Sequence, residues 1–131
     1  MQNNENKINE SYVEAQILAN QFQQLQEQIS LISNQINDIS AQIEYLSDFN
    51  NVKENSKLFS QLLPGIFIKT KLENEKKLLI NVGANVAVYR SIEEAKDMLL
   101  SKINEFKSIE ENLKEQLLIV YNKLEEKQHE L

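Results

Sequence analysis

The sequence contains very few of the residues that interrupt regular secondary structure. Its 131 residues include two glycines and one proline, which disfavours loop-rich folds and glycine-rich phosphate-binding loops. The absence of cysteine excludes disulfides and thiolate metal ligands, and it is typical of a reducing compartment. No run approaches the roughly 18 apolar residues of a membrane span, and the N-terminus lacks the pattern of a secretion signal. We therefore expect one cytoplasmic domain that does not enter a membrane.

Groups from which active sites are built are also scarce. The net charge of −6 disfavours nucleic acid, whose phosphates repel an acidic chain. The single histidine, His129, has only Gln, Glu and Leu beside it and is expected to be solvated. The pairs Glu93–Glu94 and Glu110–Glu111 lie on expected helices, where no water-poor cleft would shift their pKa values. We expect no enzyme activity, no metal and no cofactor.

A long apolar seam dominates the first third of the chain. From Ile8 to Glu54 there is neither Gly nor Pro, and apolar residues recur at alternating steps of three and four. This 3.5-residue period indicates a coiled-coil helix, predicted over residues 8–54. Between the seam residues Ala15 and Ile43 only Glu27 and Asp38 are charged, so seam packing rather than ion pairing must select the partner helix. The seam consists of Ala15, Leu18, Phe22, Leu25, Ile29, Ile32, Ile36, Ile39, Ile43 and Leu46.

A second helix of similar length is predicted over residues 91–131. Ser91 and Glu94 form a capping box, in which the hydroxyl accepts from the Glu94 amide and the carboxylate reaches back to the Ser91 amide. Two helices of matching length around a short segment most simply fold into an antiparallel hairpin, with both termini at its tip. The second seam consists of Leu99, Ile103, Phe106, Glu110, Leu113, Leu117, Val120, Leu124, Lys127 and Leu131.

The joining segment, residues 57–90, changes to the two-residue period of β-strands. Turn signals at Leu63-Pro64-Gly65 and Gly83-Ala84-Asn85 separate three or four strands, of which 58–63 has the weakest pattern. The predicted fold is mainly α, an antiparallel two-helix coiled coil joined by one or two β-hairpins. Such small sheets leave an apolar face and edges unpaired, so we expect several subunits to close their strands together. The predicted assembly residues are Ile66, Ile68, Leu78, Ile80, Val82, Val86 and Val88.

Apolar residues in excess of the seam cluster near both termini. Exposed apolar surface of this kind usually marks a binding site for another protein. The alternative is that these residues only broaden the coiled-coil seam or pack against a neighbouring arm. The predicted binding residues are Ile8, Tyr12, Val13, Ile17, Leu118, Ile119, Tyr121 and Leu124.

Three segments resemble the alpha subunits of prefoldin, an ATP-independent chaperone family of archaea and eukaryotes. They are Leu63 to Lys69, Leu79 to Val86, which spans the end of a strand and the turn at Gly83-Ala84-Asn85, and the capped helix start Ser91 to Ala95. Coiled-coil arms of similar length extend the resemblance over nearly the whole chain. The family often has a second glycine where this chain has Asn85, a residue that also reaches positive φ.

The resemblance implies a hexamer of two alpha and four beta-type subunits whose strands form a multi-subunit β-barrel. It also implies a holdase, whose coiled-coil tips bind non-native proteins and deliver them to a group II chaperonin. The rival interpretation is a structural coiled-coil adaptor or scaffold that binds one specific native partner. An adaptor would show defined hot spots at its tip, whereas a holdase would bind many unfolded proteins.

Overall fold

The computed structural model describes residues 2–73 and 76–130, apart from the side chains of residues 2 and 130. It divides into two units: a helical unit of Met1–Asp38 with Ile103–Leu131, and a hairpin unit of Ile39–Lys102. The elements in chain order are α1 (Gln2–Asn50), β1 (Lys57–Leu63), β2 (Ile66–Lys71), β3 (Lys77–Gly83), β4 (Val86–Ser91) and α2 (Ile92–Glu130).

Both predicted seams are the least exposed stripes of their helices. All ten seam positions of α1 are half-buried, except Ile39, which is buried. The nine described seam positions of α2 are likewise half-buried, or buried at Ile103, including the polar Glu110 and Lys127. Leu131, the last predicted position, lies outside the described residues. A sustained heptad period therefore located the helix contact correctly, because it keeps one stripe turned toward a partner.

Two contacts show that the helices of the helical unit run antiparallel. The rings of Phe22 and Tyr121 lie with their centroids 6.1 Å apart. About two turns nearer the N-terminus of α1, Glu14 Oε2 lies 2.7 Å from Lys127 Nζ, which follows Tyr121 on α2. Residue numbers thus rise along α1 as they fall along α2, as the matched helix lengths predict.

Spin labels placed on exposed residues test this pairing without disturbing the seam. Labels on Gln24 and Gln116, which line one groove, should lie on the order of 10 Å apart, as packed helices do. Moving the second label to Asn104 adds twelve residues, so the separation should rise to about 20 Å at helical rise. Both distances should survive dilution with unlabelled chain, because the pair is within one molecule. Equal separations for the two pairs would contradict the antiparallel register.

The strands of the hairpin unit form two separate antiparallel sheets. β1 pairs only with β2, and β3 only with β4, within the described residues. The least certain strand of the sequence analysis exists, as β1, with Ser60 opposite Ile68. Ile80 lies opposite Val88 in the second hairpin. Each ladder shifts register beside its turn, between Gln61 and Leu63 and between Asn81 and Gly83.

The second turn carries three consecutive residues with positive φ. Gly83 has φ 106°, Ala84 52° and Asn85 61°. Gly and Asn reach this region at low cost, as the sequence predicts, but Ala84 meets the Cβ penalty of left-handed backbone. The side chain of Asn81 supports the turn, since its Oδ1 accepts from the Gly83 N–H at 2.9 Å.

Helix α1 ends at Asn50, four residues before the predicted boundary. Asn55 has φ 64° and donates its N–H to the Leu72 carbonyl at 3.0 Å, and Leu72 donates to the Ser56 carbonyl at 3.0 Å. The chain beyond the helix therefore joins the β1–β2 ladder. Lys76 Nζ donates to the Asn50 carbonyl at 2.6 Å, which supplies the positive charge that the last turn of α1 itself lacks.

The start of α2 confirms one half of the predicted capping box and corrects the other. The Glu94 N–H donates to Ser91 Oγ at 3.1 Å, as expected of an N-cap. The Glu94 carboxylate accepts from the Ser91 hydroxyl at 3.2 Å and lies 3.5 Å from Arg90 Nε. It does not reach the Ser91 amide in the described hydrogen bonds, because Ser91 is still paired with Lys77 as the last residue of β4.

Candidate protein-binding surfaces

The structure places most of the predicted tip residues at the surface of the helical unit. Seven of the eight are exposed: Ile8, Tyr12, Val13, Ile17, Leu118, Ile119 and Tyr121. Leu124 is half-buried, in keeping with its place in the α2 seam. For Leu124 the alternative of a broadened seam describes its surroundings better than a free binding surface does.

Tyr121 is partly engaged within its own unit. Its ring contacts Phe22, and its hydroxyl donates to Glu125 Oε1 at 2.8 Å. This hydrogen bond to a carboxylate raises the pKa of the Tyr121 phenol above its ordinary value, since the acceptor favours the protonated form. Tyr121 therefore contributes to holding the two helices together, and its free surface is smaller than that of its neighbours.

The remaining tip residues fall on two sides of the seam. At 100° per residue, Tyr12 and Ile17 lie about 140° apart around α1. Ile17 borders a shallow groove between the helices, and Ile119 borders the continuation of that groove. With Phe22 level with Tyr121, Ile17 and Ile119 lie about 10 Å apart along the helix axis at helical rise. The surface is thus elongated along the helix pair rather than a compact cap.

The groove has an apolar floor, with charged walls in the stretch nearer the termini and uncharged walls in the next stretch. Its two stretches share Gln21, and they are bordered by residues of α1 on one side and of α2 on the other. The stretch nearer the termini is lined by Glu14, Ile17, Leu18, Gln21, Lys123, Glu126 and Lys127. The next stretch is lined by Gln21, Gln24, Leu25, Gln28, Gln116, Ile119 and Val120.

The predicted assembly residues of the hairpins differ in exposure. Leu78, Ile80 and Val88 are half-buried within the chain itself. The chain itself therefore covers part of a face that the sequence analysis expected to be left open. The residues nearer the two turns are exposed: Ile66, Ile68, Val82 and Val86.

A second apolar face of the hairpins was missed by the sequence analysis. Leu79 and Tyr89 are cross-strand partners and expose 62% and 66% of their surface, more than any predicted assembly residue. Phe59 and Phe67 are similarly exposed on the first hairpin, and Lys69 Nζ lies 6.0 Å from the Phe59 ring centroid. Reading the alternate positions of each strand would have found these residues. Exposed apolar side chains on both faces favour burial by other chains.

The described residues contain no group of three His, Asp or Glu side chains arranged to hold a metal ion. Over the same residues, neither helix is long and apolar enough to cross a membrane. What remains as candidate functional surface is the helical groove with its tip and the two-faced hairpins.

Known proteins share this arrangement. A family model described as "Prefoldin subunit" matches residues 18–131. The "Prefoldin subunit alpha" of Archaeoglobus fulgidus is 24% identical over 127 residues, which cover 97% of this chain and 93% of that protein. The "Prefoldin subunit alpha 1" of Thermococcus kodakarensis is 27% identical over 100 residues, or 76% of this chain and 68% of that one. A filamentous PFD from Methanocaldococcus jannaschii, solved by cryo-EM, has the same fold, with a TM-score of 0.78 at 19% identity, covering 94% of this chain and 99% of that one.

Proposed function

The chain belongs to the prefoldin family of chaperone subunits, and from this premise we propose that it is an alpha-type subunit that holds non-native proteins and delivers them to a group II chaperonin. The observation that carries the proposal is the exposed apolar surface of the helical unit at Ile8, Tyr12, Val13, Ile17, Leu118 and Ile119. Apolar side chains left in water on a helix pair are suited to unfolded chains, which expose apolar side chains of their own.

In this proposal the hairpins form the assembly platform. In the described part of the chain each sheet has only two strands, which leaves strand edges open, and apolar residues are exposed on both faces. Closing strands from several subunits into a β-barrel would remove the edges and bury these residues. The partners we propose are beta-type subunits, in a cytoplasmic hexamer of two alpha and four beta chains. Residues 66, 68, 78, 80, 82, 86 and 88 would then lie at or near the subunit contacts.

Holding would be multivalent and would need no nucleotide. Each tip offers a few apolar contacts of about 1 to 2 kcal/mol, which is weak alone. Several tips on one platform raise the effective concentration of the next contact once the first has formed. Release would follow from competition by the chaperonin, so neither catalysis nor a cofactor is part of the mechanism.

The first test measures assembly and holding together. Native mass spectrometry of the chain with candidate beta-type subunits should give a hexamer. That complex should suppress aggregation of a chemically unfolded client, followed by light scattering. Adding ATP without chaperonin should change nothing.

Beta-type subunits alone, at equal mass, control for protection of the client that does not need this chain. Protection that requires ATP would contradict the proposal. Tight binding to one native protein, with no effect on unfolded clients, would favour the adaptor instead.

A further inference from the structure

The groove of the helical unit has walls rich in side-chain amides. Gln21, Gln24 and Gln28 line it from α1, and Gln116 lines it from α2, above the apolar Leu25 and Val120. A glutamine amide both donates and accepts hydrogen bonds, as does a backbone peptide group. An extended polypeptide lying in the groove could therefore place apolar side chains on the floor while its backbone pairs with the walls.

Charge is distributed unevenly between the two units. The helical unit has twelve acidic and five basic residues, a net charge of −7 with His129 neutral. The hairpin unit has eight acidic and nine basic residues, a net charge of +1. The net negative charge of the chain thus comes entirely from the helical unit. There it favours the approach of positively charged segments.

Part of this negative charge lies in or beside the groove without an ion-pair partner among the described residues. Glu14 is neutralised by Lys127 at 2.7 Å, whereas Glu10, Glu115 and Glu126 form no ion pair within the described part of the chain. Glu126 lines the groove directly. Glu115 precedes Ile119 by four residues, so that both lie on the groove side of α2.

Glu10 lies on the groove side of α1, as Glu115 does on α2. It precedes Ile17 by seven residues, or two turns, and therefore also lies on the groove side. These three carboxylates thus lie around the amide-walled stretch, against two lysines of the groove, Lys123 and Lys127, of which Lys127 is paired with Glu14.

We propose that this groove binds an extended apolar polypeptide segment that is flanked by basic residues. The apolar floor and the glutamine walls accept many sequences, since they contact side-chain hydrocarbon and backbone. The flanking carboxylates select among those sequences by charge. This inference rests on the proposed holdase function and names the class of client segment that the arm prefers.

The test uses three fluorescent peptides with one core of alternating leucine and serine. Pairs of lysine, serine or glutamate flank the core. With the full chain at low salt, measured by fluorescence anisotropy, the lysine-flanked peptide should bind about tenfold more tightly than the glutamate-flanked one, as expected of a few exposed charge contacts. The serine-flanked peptide should lie between them. At about 0.5 M salt the three affinities should converge, because exposed charges are screened.

Charge variants locate the selective groups. The triple variant Glu10→Gln, Glu115→Gln, Glu126→Gln should reduce the tenfold preference to about twofold or less. Its matched control changes the same number of charges in the same unit, as Glu27→Gln, Asp38→Asn and Glu105→Gln. These exposed residues line neither stretch of the groove, and the control should keep the preference.

A steric pair of variants locates the site itself. Gln24→Trp fills the groove and should weaken all three peptides, whereas Gln23→Trp, on the exposed surface with Leu31, should weaken none. Equal binding of the three peptides by the parent chain would overturn the charge preference and leave the holdase proposal standing. Equal effects of the two tryptophans would overturn the groove. Absence of any peptide binding would overturn the inference, whereas the proposed function is decided separately by the aggregation assay with the assembled complex.

Discussion

Replacing five of the six free tip residues together, with Ile8 kept, should abolish protection of an unfolded client while leaving the oligomer intact. The variant carries Ser or Gln at five exposed positions: Tyr12, Val13, Ile17, Leu118 and Ile119. Tyr121 and Leu124 stay unchanged, because the first contacts Phe22 and the second is half-buried in the seam. Each single replacement should have little effect, since binding is spread over many contacts of about 1 to 2 kcal/mol. The measurement is light scattering of the client, with native mass spectrometry of the complex.

The chain offers a matched control for this variant. Five other large apolar residues are exposed on the helices away from the tip, and replacing them removes a similar apolar surface. The control changes Leu31, Tyr45, Met98, Leu100 and Ile109 to the same polar residues. It should protect the client as well as the parent chain does. If both variants protect fully, the tips are not the binding site and the adaptor hypothesis moves ahead.

A charge on the predicted assembly face should prevent oligomer formation. Ile80 lies opposite Val88 and is half-buried already in the single chain. In Ile80→Asp, burial of an unpaired carboxylate by neighbouring subunits would cost several kcal/mol. We expect loss of the oligomer by light scattering, with helix content by circular dichroism largely kept because the coiled-coil seam is unchanged.

A second position separates assembly from folding of the hairpin. Val82 is 51% exposed beside the turn, so Val82→Asp should leave the hairpin itself stable. It should still weaken assembly, since the carboxylate would be buried only in the complex. Leu31→Asp, on an exposed helical position, controls for the added charge and should assemble normally. An unchanged mass for both strand variants would exclude this face from the interface.

Local pattern was sufficient for most of the architecture. The alternation of three and four predicted both seams, and their positions are half-buried or buried wherever they are described. Proline and glycine at the turns predicted where the strands reverse, with Gly65 at φ 80° and Gly83 at φ 106°. These features depend on residues within a few positions of one another. Seam periodicity and turn conformation are therefore readable from the sequence without knowing what lies across from them.

Helix and strand ends were less predictable because they depend on competing partners. The polar residues after Asn50 do not show that Asn55 and Ser56 pair with Leu72, or that Lys76 donates to the Asn50 carbonyl. The strand pattern likewise predicted one apolar face of the hairpins. It did not predict that Leu79 and Tyr89 are exposed on the opposite face. A two-residue period describes both faces equally, and only the surrounding structure decides which one is covered.

By itself the sequence determined the two helices, their seams, the hairpin turns and an excess of apolar residues near the termini. Only the tertiary structure decided how that excess is divided. Phe22 lies about one hundred residues from Tyr121 in the chain, yet their contact sets the register of α1 against α2. That register brings Ile17 and Ile119 to one groove and commits Leu124 to the seam. The physical reason is that each helix pattern repeats every seven residues, so that many registers satisfy it. Specific side-chain packing across the pair selects one of them.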